Sequence, residues 1–181
     1  MNTADIGKIE AKVLWLYGLS GAGKTTLAIA FAQVLREAMH PAVVLDGDRL
    51  RMGMCQDLAF SSEDRQENVR RTAELAKLLC EQGLIVVVAL MTPHESMRQM
   101  ARSIIGDKSF KAVFVKCDYA VCASRDTKGL YARAAAGNIH QFPGKDFVFE
   151  EPARSDLVLD TATESIPACI HSLIHQFADS T

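Results

Sequence analysis

The chain has 181 residues, a formal charge of -2 and a composition that is 49% apolar. That length suits one domain with a substantial core and is short for two. The apolar content excludes a disordered chain, and the near-neutral charge excludes a nucleic-acid binder held by bulk positive charge, so any bound anion must be gripped locally.

The first strand-like run is VLWLYG (13–18), short, branched and apolar. GLSGAGKTT follows at once, which spells G-x-x-x-x-G-K-[ST] between a strand and a helical stretch at 25–39. In this context the glycines let backbone N–H groups turn toward phosphate oxygens, and the helix N-terminus adds positive potential. Lys24 is placed to reach the outer phosphates and Thr25 to ligate magnesium. Gly18, Ser20, Gly21, Ala22, Gly23, Lys24, Thr25 and Thr26 are therefore the candidate nucleotide contacts.

A second apolar run, AVVLDGD (42–48), ends in LDGDRLR (45–51). Its two acids fall at the carboxyl end of a strand, the edge where open α/β sheets bind ligands. Asp48 is the candidate to accept the proton of an attacking hydroxyl. Arg51 and Arg65, the latter in SSEDRQENVRR, have the forked donors that suit phosphate or sulfate. The plainer reading makes Asp48 a helix cap and the arginines a solvated face.

Val69, Ala73, Ala76 and Leu79 recur at helical spacing within 63–82, and Gly83 follows as a stop. LIVVVALM (84–91), a helical stretch at 93–105, FKAVFVKC (110–117), DLVLDT (156–161) and a last helical stretch at 166–177 complete the series. The alternation predicts an α/β fold, a parallel five-stranded sheet flanked by helices, and the GLSGAGKTT motif after its first strand makes that a phosphate-loop NTPase fold. Between 125 and 152 the pattern breaks down into a polar segment with glycines, aromatics and bases, long for a passive loop and suited to a lid at about 125–150.

LIVVVALM is too short to cross a bilayer and MNTADIGKIEAK has no signal-peptide pattern, so the expectation is a soluble, cytoplasmic protein with no membrane or nucleic-acid partner. Five cysteines without a CxxC pair read as reduced, mostly buried thiols, with a Cys117–Cys122 bridge as a lesser alternative. His171 and His175, four apart on the last helical stretch, lack a nearby third ligand for zinc. A guanine-nucleotide switch is disfavoured, since VKCD (115–118) lacks the amide that would fix the base.

Over nearly its whole length the chain resembles the adenylylsulfate (APS) kinases. The resemblance rests on GLSGAGKTT, LDGDRLR, DLAFSSEDRQENVRR (57–71), the T-P of MTPHESMR (91–98), RDTKGLY (125–131), GNIHQFPG (137–144) and LDT (159–161). It implies transfer of the ATP γ-phosphoryl, with Mg2+, to the 3′-hydroxyl of adenosine 5′-phosphosulfate, within a homodimer. Position by position it implies that Asp48 lies near the acceptor hydroxyl and that Arg51, Arg65 and Asn68 hold the acceptor nucleotide. Phe60 and Phe142 would sandwich its adenine. Lys128, Gly129 and Leu130 match the lid motif, Arg125 the arginine beside the ATP base, and Thr92 the serine of the family's S-P pair. The sequence departs from the family pattern at 59, 91–94 and 142–145, and a related acceptor, such as cytidine diphosphoramidate, is the alternative, to be looked for in the altered stretches at 52–56 and 141–149.

Overall fold

The computed structural model describes residues 9–137 and 148–178. Five strands form one wholly parallel sheet: β1 (Val13–Tyr17), β2 (Ala42–Asp46), β3 (Ile85–Ala89), β4 (Phe110–Lys116) and β5 (Leu157–Asp160). Their order is β2-β3-β1-β4-β5, so β1 sits at the centre with Val13 opposite both Val86 and Phe110.

Alternation along β1 shows how the sheet is covered. Leu14 and Leu16 face a core layer with Leu27, Phe31 and Leu35 of α1 (Lys24–Glu37) and Leu173 and Phe177 of α7 (Ile166–Ala178). Val13, Trp15 and Tyr17 face the opposite layer, with Val69, Ala73 and Ala76 of α3 (Ser62–Glu81) and Met97, Ala101 and Ile105 of α4 (Glu95–Ile105). Both faces are dry, which is why the strands read as unbroken apolar runs rather than alternating ones. The crossovers leave all five carboxyl ends on one edge, and the loops there build the site.

Three short helices fall outside the helical stretches read from the sequence: α2 (Gly47–Arg51), α5 (Tyr119–Arg125) and α6 (Leu130–Ala135). The last lies inside the segment read as a patternless lid. It forms because the Asp126 carboxylate accepts the N–H groups of Tyr131 and Ala132, each at 3.0 Å, and so satisfies donors a helix start leaves open. Among the described residues no helix is long and apolar enough to cross a membrane. All five cysteines are free and buried, Cys117 and Cys122 included; burial pushes the Cys122 thiol up to about 12.

Candidate active site

The loop between β1 and α1 is shaped by what glycine alone permits. Gly18 has φ 153°, and a Cβ there would run into the Val115 carbonyl oxygen of neighbouring β4. Gly23, at φ 93°, starts α1 with no side-chain cap. Lys24 folds back over this turn and donates to the carbonyl oxygens of Gly18 (3.0 Å) and Leu19 (2.6 Å). Burial, helped by the nearby Lys128 cation, lowers its ammonium group from an ordinary 10.5 to about 8. The site is built for an anion that would restore that charge.

Thr25, next in the turn, donates its hydroxyl to Asp46 Oδ2 at 2.6 Å. The other carboxylate oxygen of Asp46 serves the backbone. Its Oδ1 accepts the N–H groups of Asp48 (3.1 Å) and Arg49 (3.2 Å), which ends β2 and opens α2. The strand therefore stops two residues before the DGD stretch does, and Asp46 rather than Asp48 is the cap. Asp46 is also a site residue, although the sequence reading chose Asp48 of the two acids. Its signal was present in the first acid of DGD, in line with a loop threonine 21 residues earlier. Asp48, freed from capping, projects an exposed carboxylate into the cleft, where its Oδ2 meets the Lys128 ammonium group.

One cleft of about 530 Å³ runs across this edge of the sheet, with the phosphate loop at its middle. At one end Arg51 donates to the carbonyls of Leu58 (3.0 Å) and Ala59 (2.8 Å) and lies 4.5 Å over the Phe60 ring. Arg65 donates to the Phe60 carbonyl (2.9 Å), with its guanidinium 5.5 Å from the same ring centre. Phe60 is 60% exposed and lines the cleft. Burial lowers the pKa of both arginines, and the neighbouring Arg51 charge lowers Arg65 further, so this end holds cationic charge at a cost that an anion would relieve. Beside them Asn68 is only 3% exposed, and its Oδ1 accepts nothing among the described residues. A buried unmade acceptor costs about 1–3 kcal/mol, so this oxygen is a ready place for a ligand N–H or O–H.

At the other end Arg125 donates to the carbonyls of Thr161 (2.6 Å) and Gly21 (3.3 Å). Thr161, at the tip of β5, donates its hydroxyl to the Ala22 carbonyl at 2.8 Å. This wall continues through Glu164, Ile166 and Cys169, none of which the sequence reading singled out. Lys128 and Leu130 close the cleft from above, and Gly129 between them opens α6 at φ 61°. Tyr131 anchors that helix to the phosphate loop through a 2.7 Å bond from its hydroxyl to the Ser20 carbonyl.

One expected residue is not brought in. Thr92 is fully buried behind the cleft wall, where its hydroxyl accepts the Trp15 indole N–H at 2.8 Å and faces the Leu90 carbonyl at 3.3 Å. The sequence reading missed this because it could not see that a central-strand tryptophan needed an acceptor. Phe142 lies outside the described residues. Among the described residues no cluster of three or more His, Cys, Asp or Glu side chains is placed to hold a metal, His171 and His175 included. The oxygens of Thr25 and Asp46 do fit magnesium, which takes one or two protein oxygens and completes its shell from phosphates and water.

Comparison with known proteins identifies the family. The family model described as adenylylsulphate kinase matches residues 10–160. Adenylyl-sulfate kinase of Bacillus licheniformis is 44% identical over 172 residues, covering 95% of this chain and 87% of that one. The Pseudomonas aeruginosa enzyme of the same name is 45% identical over 162 residues, 90% of this chain and 83% of its own. Among solved structures, the Mycobacterium tuberculosis APS kinase in complex with AMPPNP and APS superposes with a TM-score of 0.89 at 38% identity, covering 93% of this chain and 98% of that one. With the matched region spanning the phosphate loop, the DGD turn and the end of β5, the chain belongs to the adenylylsulphate kinase family.

Proposed function

We propose that this protein transfers the γ-phosphoryl group of ATP to the 3′-hydroxyl of adenosine 5′-phosphosulfate, giving ADP and the 3′-phosphorylated product. The observation that carries the reading is the likeness to an APS kinase solved with both nucleotides, joined to a single cleft that has a phosphate loop at its middle and two different ends. ATP lies with its base beside Arg125 and its phosphates over residues 18–26, where Lys24 exchanges the Gly18 and Leu19 carbonyls for phosphate oxygens. Thr25 and Asp46 would hold magnesium, which when bound offsets charge on the transferring group.

The acceptor occupies the Arg51, Phe60, Arg65 and Asn68 end. Its adenine lies on Phe60, a contact worth about 1–3 kcal/mol, and its phosphosulfate meets the two guanidinium groups. Asp48 then faces the 3′-hydroxyl and accepts its proton as the oxygen attacks in line. In the ligand-free cleft that carboxylate is occupied by Lys128. Arrival of the triphosphate gives Lys128 a stronger partner, which frees Asp48 Oδ2 for the hydroxyl and brings the cation onto the group whose charge spreads in the transition state.

An ADP-release assay coupled to pyruvate kinase tests the reading, with APS in one arm and cytidine diphosphoramidate in the other. ADP release with APS is the expected result. Turnover of the second compound with none of APS would overturn it.

A further inference from the structure

Arg98 is the one charged side chain of α4 that folding has buried, at 4% exposure, and the chemistry above does not use it. Its guanidinium makes four hydrogen bonds to three separate pieces of chain. Nη1 donates to the carbonyls of Thr92 (2.9 Å) and Pro93 (3.2 Å), in the loop that leaves β3 directly after Met91. Nη2 donates to the Glu150 carbonyl (3.0 Å), where the chain returns from the segment that carries Lys128. Nε donates to Glu95 Oε2 (2.8 Å) on its own helix.

The plane of the guanidinium is fixed by rings, with Tyr17 at 5.0 Å and Phe149 at 5.9 Å; Phe149 in turn stacks on Phe114 of β4 at 6.0 Å. Outside this core a second set of bonds joins the same pieces. The Glu150 carboxylate takes His94 Nδ1 (3.0 Å) and the Glu95 N–H (2.6 Å), while the Glu150 N–H donates to the Pro93 carbonyl (2.9 Å). A buried cation is expensive to keep, and a hydrophobic residue in its place would pack the same volume. What an apolar residue cannot do is hold three carbonyl oxygens in one plane.

Met91, one residue before this knot, lines the acceptor end of the cleft, and its sulfur lies 4.0 Å from Arg65 Nη1. We infer that Arg98 is a positioning residue for the acceptor half of the site: it fixes the 91–93 wall and the 148–150 return of the chain against each other, and leaves the ATP half alone. The assignment to the acceptor half rests on the reading given under Proposed function.

The test uses Arg98→Lys, which keeps the charge and loses the planar fork, with Glu150→Ala as a milder variant that removes only the outer carboxylate bonds. Hydrogen exchange is read at the Glu95 and Glu150 amides and at the phosphate-loop amides, and needs no substrate. Faster exchange at the first two in Arg98→Lys, with the loop unchanged, supports the clamp; unaltered exchange overturns it. In kinetics, Arg98→Lys should raise KM for APS on the order of 10-fold or more, since displacing a wall by about an ångström is felt strongly, while KM for ATP stays within about twofold. Glu150→Ala should move the same parameter by less. Equal losses for both substrates, or a fall in thermal stability alone, would show Arg98 to be structural only. Wild-type protein that fails to turn over APS sinks the substrate assignment, while the exchange result still decides the clamp.

Discussion

Lys24 offers a quantitative test of the phosphate loop, because burial and Lys128 lower its ammonium group to about 8 in the ligand-free protein. With that value about one tenth of the side chain is neutral at pH 7, about half at pH 8 and about nine tenths at pH 9. A bound triphosphate restores the proton, so nucleotide binding should take up roughly 0.1, 0.5 and 0.9 protons at those three pH values. Affinity should fall on the order of tenfold from pH 7 to pH 9, about 1.4 kcal/mol. The terminal phosphate is already ionised in the upper part of this range and does not confuse the count. Titration calorimetry with ATP in buffers of different ionisation enthalpy measures the uptake directly. Lys24→Met should abolish the pH dependence, and Lys128→Ala should move it to higher pH by removing the neighbouring charge. Uptake that is flat across pH 7–9, or unchanged in Lys24→Met, would refute the reasoning. The same shift bears on stability: between about 8 and 10.5 the unfolded chain binds more protons at this residue, so its contribution to ligand-free stability rises with pH across that window. Below it, the partly buried cation weighs against the ligand-free fold.

Asp48→Asn should cut turnover about 100-fold or more while the Kd for ADP stays unchanged, since Asp46 and not Asp48 carries the cap and the Thr25 contact. Steady-state kinetics beside calorimetry separates the two, and near-normal turnover would remove the residue from the proton-accepting role. Gly18→Ala should lower stability on the order of 3 kcal/mol, because φ 153° is strained for alanine and the new methyl meets the Val115 carbonyl. A urea denaturation midpoint like that of the wild type would mean that the turn relaxes freely.

Much of the fold was legible because each strand is covered on both faces, so VLWLY, AVVLD, IVVVA, FKAVFVK and LVLD stand out as apolar runs. Their ends were less so. The second run was read through Asp48 because nothing local marks Asp46 as the residue whose side chain turns back to the N–H groups ahead of it. Strand order is a matter of long-range pairing and has no local signature. Helix α6 escaped because its start is satisfied by Asp126, several residues upstream, rather than by an adjacent cap. At the site, the residues whose work depends on the loop motif itself were read directly, Lys24 and Thr25 among them. Asp46 was passed over for Asp48, Thr161 entered only through the LDT motif of the resemblance, and Glu164 was not read, because each enters the cleft through the sheet order that brings the ends of β2 and β5 to opposite sides of the loop.

The lone tryptophan of this chain, Trp15, stands at the centre of the sheet with its indole N–H committed to Thr92, directly behind the wall that Met91 presents to the cleft. Its fluorescence is consequently a built-in optical reporter: emission from a single, water-free fluorophore follows the backbone at one end of the cleft without any label. Filling that end should change the signal, while a ligand confined to the far end should leave it nearly silent.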